Sequence, residues 1–346
     1  MCPLAETDAP LASFFDHQLA NFSIAALHLA AATQRAARAG NGDGVVRPFF
    51  LAAGFRRPHL PWRMPKRFWD LFDDDSLGPP VHPNVPEGMP PVAWTCGDRC
   101  AWELANRSTY DFSLATPVEA PLARMLRRAY LASMAFMDSE VGRVLAELDV
   151  LDLTSKTLVL LHGDHGWGLG EGNFWHKFSN MEHSARVPLL VRAPWLGPAS
   201  AGRVVTNLVE LVDVFPSLAS LAGTPPPTFA NGTVLPLDGA DFSALLLSQS
   251  NGSGAAVTSS KQYAYSQFPR CDGGRDRVFA SLGKFTLPPP TLMGLPGDLS
   301  TGTTSVDFTA GRHSRLNVHT HTCPYKCMPY VKGDHREIMQ WAWHLY

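Results

Sequence analysis

Four side chains have the chemical types needed to bind a cation together with an anion: His59, Asp164, His165 and Lys177. Asp164 and His165 are adjacent and lie among several glycines. A carboxylate oxygen and an imidazole nitrogen can bind one cation, and glycines let the backbone approach it closely. Lys177 follows about a dozen residues later, and its ammonium group could hold an anion on the same cation.

These residues also have ordinary structural interpretations. The Asp164-His165 pair is also typical of a capped turn that contains a hydrogen-bonded histidine. His59 could be a loop histidine packed between Pro58 and Pro61. The positions of the residues relative to the predicted strands are what favours a functional site.

The predicted strands end where these polar residues begin. Residues 45–55 form a nearly continuous apolar run that predicts a buried strand, and His59 follows its end. Residues 157–161 predict a second strand directly before Asp164, and residues 187–192 predict a third. Ligands of parallel α/β sheets bind beyond the carboxyl ends of the strands. We therefore expect the functional atoms of the four residues to lie within about 10 Å of one another.

Helical patterns separate these strands. Apolar residues at helical spacing predict helices over 21–38, with Asn21 as the N-cap, and over 122–148 and 208–221. Strands that alternate with helices predict an α/β fold with a mostly parallel sheet flanked by helices. Residues 71–121 are predicted to be a long connecting region, and no element is predicted for 287–315.

Length and composition limit the class of protein. The 346 residues allow two domains, which we assign to 1–247 and to 248–346, because the Ser/Gly-rich segment 248–260 resembles a linker. A net charge of −2 gives no general field that would attract nucleic acid. The longest apolar stretch, residues 24–32, is far shorter than the roughly 20 residues of a membrane span.

The cysteines allow more than one interpretation. Cys96 and Cys100 have the same spacing as Cys323 and Cys327. These pairs are predicted to be short disulfide loops or free thiols, and less favourably halves of a zinc site with nearby histidines, His319 and His321. If both pairs form disulfides, two cysteines remain, Cys2 and Cys271.

Glycosylation sequons give weak support for a secretory route. Asn-x-Ser/Thr triplets occur at Asn21, Asn106, Asn231 and Asn251. The first residues, MCPLAETDAP, have neither the basic region nor the apolar region of a signal peptide.

Motifs in the same order along residues 45–270 closely resemble the sulfatase family of the alkaline-phosphatase-like superfamily, and within it an iduronate-2-sulfatase-like branch. These motifs are PFFLAAGF at 48–55, RPHLPW at 57–62, YLAS at 130–133, GDHGW at 163–167, VPL at 187–189, VELVD at 209–213, FPSL at 215–218 and YSQFPR at 265–270. The resemblance implies an alkaline-phosphatase-like fold that is incomplete at its N-terminus, with a remnant of a smaller C-terminal subdomain.

The resemblance also implies a function. It implies hydrolysis of sulfate esters on sulfated sugars or glycosaminoglycan-like substrates, with bound calcium, in the lysosome or outside the cell. Asp164 and His165 match two metal ligands of the family, and Lys177 matches the lysine that contacts the sulfate. His59 matches the histidine that contacts the sulfate or protonates the leaving alcohol. Each of these roles is chemically reasonable for the residue type.

The sequence also departs from the family pattern. The early Asp-Asp metal pair and the Cys-x-Pro-Ser-Arg motif, whose cysteine becomes formylglycine, are absent. We therefore expect the chain to begin inside a longer sulfatase and to be catalytically incomplete. The sequence also departs from the branch pattern around the metal site, which leaves the choice of substrate open; these positions are His162, Gly172, Asn173, Phe174 and His176. The alternatives are a non-catalytic homologue that binds a sulfated glycan and a metal-dependent phosphoesterase of the same superfamily.

Overall fold

A computed structural model describes residues 5–7, 10–73, 77–94, 104, 112–247 and 261–268 of the chain. The helices are α1 (Phe15–Arg38), α2 (Lys66–Trp69), α3 (Ala120–Val150), α4 (Glu182–Ala185), α5 (Val214–Leu221) and α6 (Ser243–Leu247). The strands are β1 (Ala5–Thr7), β2 (Arg63–Pro65), β3 (Val159–His162) and β4 (Leu189–Arg192). Short 3-10 turns connect several of these elements.

The core forms where the long helices α1 and α3 pack together. Phe136 of α3 is 1% exposed, and its ring centroid lies 5.3 Å from each of those of Phe14 and Phe68. A polar contact also joins the two helices, because Glu140 is 1% exposed and its carboxylate lies 3.0 Å from His17 Nδ1 and 2.5 Å from Arg143. The amphipathic stripe predicted over 122–148 is thus confirmed as α3.

The strands pair in two small sheets. β1 and β2 are parallel, with Ala5 opposite Arg63. β3 and β4 are antiparallel, with Val159 opposite Arg192. The sequence predicted a mostly parallel sheet, whereas this second pair is antiparallel. The reason is that residues 163–188 double back as a loop that contains only a 3-10 turn (Glu171–Asn173) and the single turn α4. A parallel connection needs a crossover, usually a longer helix.

The predicted strand at 45–55 is wrong. This segment forms neither a strand nor a helix, and Phe50 is 84% exposed. An apolar run alone does not make a strand, since a strand also needs a hydrogen-bonding partner. None of the described strands pairs with this segment.

Two helix starts also differ from the predictions. α1 begins at Phe15, so Asn21 lies inside the helix, where its side-chain oxygen accepts a hydrogen bond from Arg143 instead of capping the N-terminus. The predicted helix 208–221 begins only at Val214, after the 3-10 turn Leu211–Asp213. In both cases a long-range contact or a local turn overrides the periodic pattern.

Several predictions concern residues outside the described ranges. They include all six cysteines, the linker at 248–260 and the featureless segment 287–315. The domain boundary after residue 247 therefore stays a prediction. Among the helices that the structure describes, none combines the length and apolarity needed to cross a membrane.

Candidate active site

Asp164 and His165 follow the end of β3 after one residue, Gly163. Asp164 Oδ1 accepts the backbone N–H of His165 at 2.9 Å, which leaves Oδ2 at 3.4 Å from His165 Nε2. The Asp164 side chain is 68% exposed, whereas that of His165 is only 23% exposed. The pair thus presents one carboxylate oxygen and one ring nitrogen close together at the surface.

The hydrogen bond of the other ring nitrogen determines which tautomer His165 adopts. His165 Nδ1 lies 2.9 Å from the carbonyl oxygen of Gly166, which can only accept, so Nδ1 carries the proton. Nε2 of the neutral ring therefore has a lone pair for a metal. Metal-ligating histidines commonly donate their other ring N–H to a carbonyl in this way.

These two donors fit neighbouring positions around a divalent cation. When two ligand atoms each lie about 2.3 Å from a metal and subtend about a right angle there, they are about 3.3 Å apart. Asp164 Oδ2 and His165 Nε2 are 3.4 Å apart. Calcium, however, takes about six to eight ligands, mostly oxygens. In the part of the chain that the structure describes, no group of three or more His, Cys, Asp or Glu side chains could hold a metal ion. Asp164 and His165 alone are therefore fewer ligands than a calcium ion takes.

The chain folds back on itself between Gly168 and His176. The backbone N–H of Gly168 donates to the carbonyl of His176 at 3.0 Å, and that of Gly170 donates to Phe174 at 2.8 Å. The chain between them therefore reverses direction. Lys177 emerges beside Gly168, three residues after His165.

Two glycines permit this path because the backbone packs closely on itself. Gly166 donates its N–H to the Ser184 carbonyl at 2.8 Å, and a side chain there would collide with the carbonyl of His183. A side chain at Gly168 would collide with the carbonyl of Phe174. The glycine-rich sequence is therefore required by the close approach of the backbone.

The ring of His176 fixes the backbone at Lys177. His176 is buried, and Nδ1 accepts the backbone N–H of Lys177 at 2.9 Å. The ring lies between Trp167 and Phe178, with centroid distances of 4.5 and 4.3 Å. Because the packed ring is hydrogen-bonded to the Lys177 amide, it restrains the backbone from which the Lys177 side chain extends.

His59 lies on a loop between α1 and β2 that is held by hydrogen bonds of His59 and Trp62. Its Nδ1 donates to the carbonyl of Leu60 at 2.6 Å, so a proton that enters or leaves the ring does so at Nε2. Trp62 is fully buried and donates its indole N–H to the carbonyl of Pro58 at 2.7 Å. The side chain of His59 is itself half-buried.

One aromatic cluster connects these two loops. We define the aromatic cluster as Trp62, Tyr130, Trp167 and His176. The rings of Trp62 and Tyr130 lie 6.1 and 6.4 Å from that of Trp167. Burial raises the pKa of Tyr130, and the negative charge of Asp164 raises it further. The loops that carry the four predicted site residues thus pack on the same cluster, while the predicted 10 Å spacing of their functional atoms stays a prediction.

Sequence reasoning missed several residues that build this region. Tyr130 lay in a recognised motif but received no role, and His176 was noted only as a departure from the family. Asp16 is 1% exposed and accepts hydrogen bonds from the backbone of Arg56 and Arg57. No sequence signal marked Asp16, because its partners are about forty residues away.

Comparison with known proteins identifies the class. The Sulfatase family profile matches residues 34–224, which is more than half of the chain. The chain therefore belongs to the Sulfatase family, and the predicted α/β fold of that family is confirmed.

Individual relatives match about half of the chain. Iduronate 2-sulfatase of Mus musculus is 37% identical over 207 residues, which are 52% of this chain and 37% of that protein. The Homo sapiens protein is 35% identical over 204 residues, covering 51% and 36%. Choline-sulfatase of Rhizobium meliloti is 33% identical over 184 residues, covering 53% and 33%. The chain thus spans about a third of the length of these curated relatives.

Solved structures are similar over a larger share of the chain. Phosphonate monoester hydrolase SpPMH from Silicibacter pomeroyi has a TM-score of 0.44 at 24% identity, covering 62% of this chain and 39% of that one. A protein solved in complex with its substrate D-glucosamine-2-N,6-O-disulfate has a TM-score of 0.47 at 17% identity, covering 62% and 50%.

Proposed function

We propose that the whole protein is a sulfuric ester hydrolase whose substrates are sulfated sugars of the glycosaminoglycan type. The observation that carries this proposal is the pair Asp164 and His165 after β3, whose Oδ2 and Nε2 lie 3.4 Å apart. We place Lys177 on the anion side of this pair, since its neighbour His176 is hydrogen-bonded to Gly168, three residues after His165. A carboxylate oxygen, a ring nitrogen and an ammonium group are suited to a cation with a bound anion. Membership of the Sulfatase family and the iduronate 2-sulfatase relatives favour sulfate as that anion.

In this proposal Asp164 Oδ2 and His165 Nε2 hold a divalent cation, for which calcium is the family's usual metal. The cation, when bound, supplies positive charge to the sulfate oxygens. Lys177 adds a second positive charge on the sulfate, and His176 keeps its backbone in place. Charge that develops on the transferring sulfuryl group would be stabilised by these fixed groups.

His59 would act as the general acid. The Leu60 carbonyl accepts from Nδ1 and supports the doubly protonated ring, so Nε2 is the atom that would deliver a proton to the leaving alcohol. A sugar alkoxide is a poor leaving group and needs this proton. An aryl oxide leaves without much help.

The nucleophile of the family, a formylglycine made from a Cys-x-Pro-Ser-Arg cysteine, has no counterpart among the 346 residues. We therefore expect the 346-residue chain to show no appreciable turnover of an aryl sulfate. Sustained multiple turnover that is lost on Asp164→Ala would show that another nucleophile serves the site.

The test of the proposal compares two substrates in the whole protein. His59→Ala should lower turnover of a sugar sulfate by about 10²–10⁴-fold more than turnover of an aryl sulfate. Lys177→Ala should lower both alike, because it contacts oxygens common to both. Lys156→Ala is the matched control, since Lys156 pairs at the surface with Asp152 and should leave both rates unchanged.

Two other outcomes would replace the proposal. Binding of a sulfated glycan with no hydrolysis would indicate a non-catalytic homologue, and preference for phosphate over sulfate esters would indicate a phosphoesterase. Equal losses on both substrates for His59→Ala would remove its role as the acid.

We also propose a secretory route, which is supported by the exposed sequon at Asn231.

A further inference from the structure

We propose that Asp16 is a positioning residue for His59, an inference that rests on the proposed function. Asp16 lies in the first turn of α1, in a different part of the sequence from every residue of the candidate site. Its side chain is 1% exposed. A buried carboxylate is stable only when its oxygens are hydrogen-bonded, so its partners show what it holds.

Those partners are two consecutive backbone amides of the His59 loop. Asp16 Oδ1 accepts the N–H of Arg56 at 2.6 Å, and Oδ2 accepts the N–H of Arg57 at 3.1 Å. Each oxygen holds one amide, so the carboxylate fixes both the position and the orientation of this stretch of backbone. Hydrogen bonds to an ionised acceptor are stronger than those between neutral groups.

Arg56 and Arg57, whose amides Asp16 holds, are both hydrogen-bonded to the backbone of His59. The N–H of His59 donates to the carbonyl of Arg56 at 2.9 Å, and the Arg57 guanidinium donates to the carbonyl of His59, also at 2.9 Å. The same guanidinium donates through Nε to the carbonyl of Arg63 at 2.9 Å. Displacement of the Arg56–Arg57 amides would therefore move the backbone of His59.

Charge supports the same arrangement. Burial lowers the pKa of the Arg57 guanidinium, whereas the negative charge of Asp16 opposes that shift. Asp16 thus favours the charged form of the side chain that holds the His59 carbonyl. Asp16 therefore acts on His59 in two ways. It holds the backbone amides of Arg56 and Arg57, and it favours the charged Arg57 side chain that donates to the His59 carbonyl.

The decisive variant is Asp16→Asn in the whole protein. The amide keeps the size of the side chain but presents an NH₂ group to one of the two N–H donors. A misplaced general acid slows the reaction of the substrate whose leaving group needs a proton. A displacement of about 1 Å can lower the rate roughly 10²-fold. We expect Asp16→Asn to lower sugar-sulfate turnover at least tenfold more than aryl-sulfate turnover. In a His59→Ala background, Asp16→Asn should have no further effect on that ratio.

Glu140→Gln is the matched control, because Glu140 is another carboxylate buried between α1 and α3. This variant should leave the ratio of the two rates unchanged. An equal loss on both substrates for Asp16→Asn, or a loss that adds to that of His59→Ala, would overturn the proposal.

Two measurements test Asp16 independently of turnover. The NMR titration of the His59 ring should shift in Asp16→Asn and stay unchanged in Glu140→Gln, and an unchanged titration in both overturns the proposal even where activity is absent. In the unaltered protein, the amides of Arg56 and Arg57 should exchange slowly with solvent. Exchange as fast as in the exposed turn 42–44 would also overturn it, and this measurement needs no variant.

Discussion

The indole rings of Trp62 and Trp167 pack against each other at an interplanar angle of 66°, with their centroids 6.1 Å apart. Trp62 follows the His59 loop, and Trp167 follows Asp164 and His165. One aromatic contact therefore holds together two loops that are far apart in the sequence.

Truncation of Trp62 should destabilise the protein strongly. Trp62 is 0% exposed, so Trp62→Ala leaves a large cavity and should lower the free energy of unfolding by about 3–5 kcal/mol. Trp195 is 50% exposed, and Trp195→Ala should cost less than about 1 kcal/mol. Denaturant unfolding of both variants tests this difference, and equal losses would contradict it.

Removal of Lys261 should leave two carboxylates without their cation. Lys261 Nζ lies 2.5 Å from Glu210 and 2.7 Å from Asp213, and the Asp213 side chain is 1% exposed. Lys261→Met should lower the free energy of unfolding by about 2–4 kcal/mol, somewhat less than for a fully buried pair because Lys261 is partly exposed.

An exposed ion pair provides the comparison for Lys261. Lys156→Met breaks the pair with Asp152, whose side chain is 89% exposed, and should cost less than about 1 kcal/mol. The double variant Lys261→Met with Asp213→Asn should recover part of the loss. Asp213 also accepts the backbone N–H groups of Glu210 and Ala240, so Asp213→Asn alone is measured as the reference. If the two losses simply add in urea unfolding, the charge of Lys261 does not act through Asp213.

The stability of the protein should fall below neutral pH partly because of His183. Burial lowers the pKa of His183, while the charge of Glu171 opposes the shift. The unfolded chain therefore binds a proton near the ordinary pKa of 6.5, whereas the folded protein binds it only at lower pH. Stability is lost as the pH falls through this window and levels off below the folded pKa.

The variant His183→Phe removes the titrating group but keeps a ring against Phe174, whose centroid lies 5.1 Å away. Its free energy of unfolding should decline less than that of the unaltered protein between neutral pH and about pH 5. Thermal or urea unfolding at several pH values measures the two slopes. Parallel slopes would exclude His183 as a source of the acid sensitivity.

Neutralisation of Asp164 should lower the pKa of Tyr130. Burial is the larger cause of the raised pKa and remains, but the contribution of the Asp164 charge is lost in Asp164→Asn. Asp152→Asn, at an exposed surface site, is the control and should have no effect. NMR titration of labelled tyrosines measures the shift, and an unchanged Tyr130 would show that Asp164 does not face the aromatic cluster.

The sequence alone determined the features that depend on neighbouring residues. The apolar stripe predicted α3, the short apolar run before Gly163 predicted β3 to within two residues, and the motifs around His59 and Asp164 identified the family. Local periodicity and motif chemistry encode such features, because each is formed by residues close together in the chain.

Features that depend on distant partners are set by the folded chain. β4 runs antiparallel to β3 because the intervening loop folds back, which the apolar pattern of either strand does not specify. Residues 45–55 have the composition of a strand, but pairing depends on another segment. Asp16 reaches Arg56 and Arg57 only once α1 packs beside their loop, since a buried carboxylate takes whichever donors the folded chain brings to it.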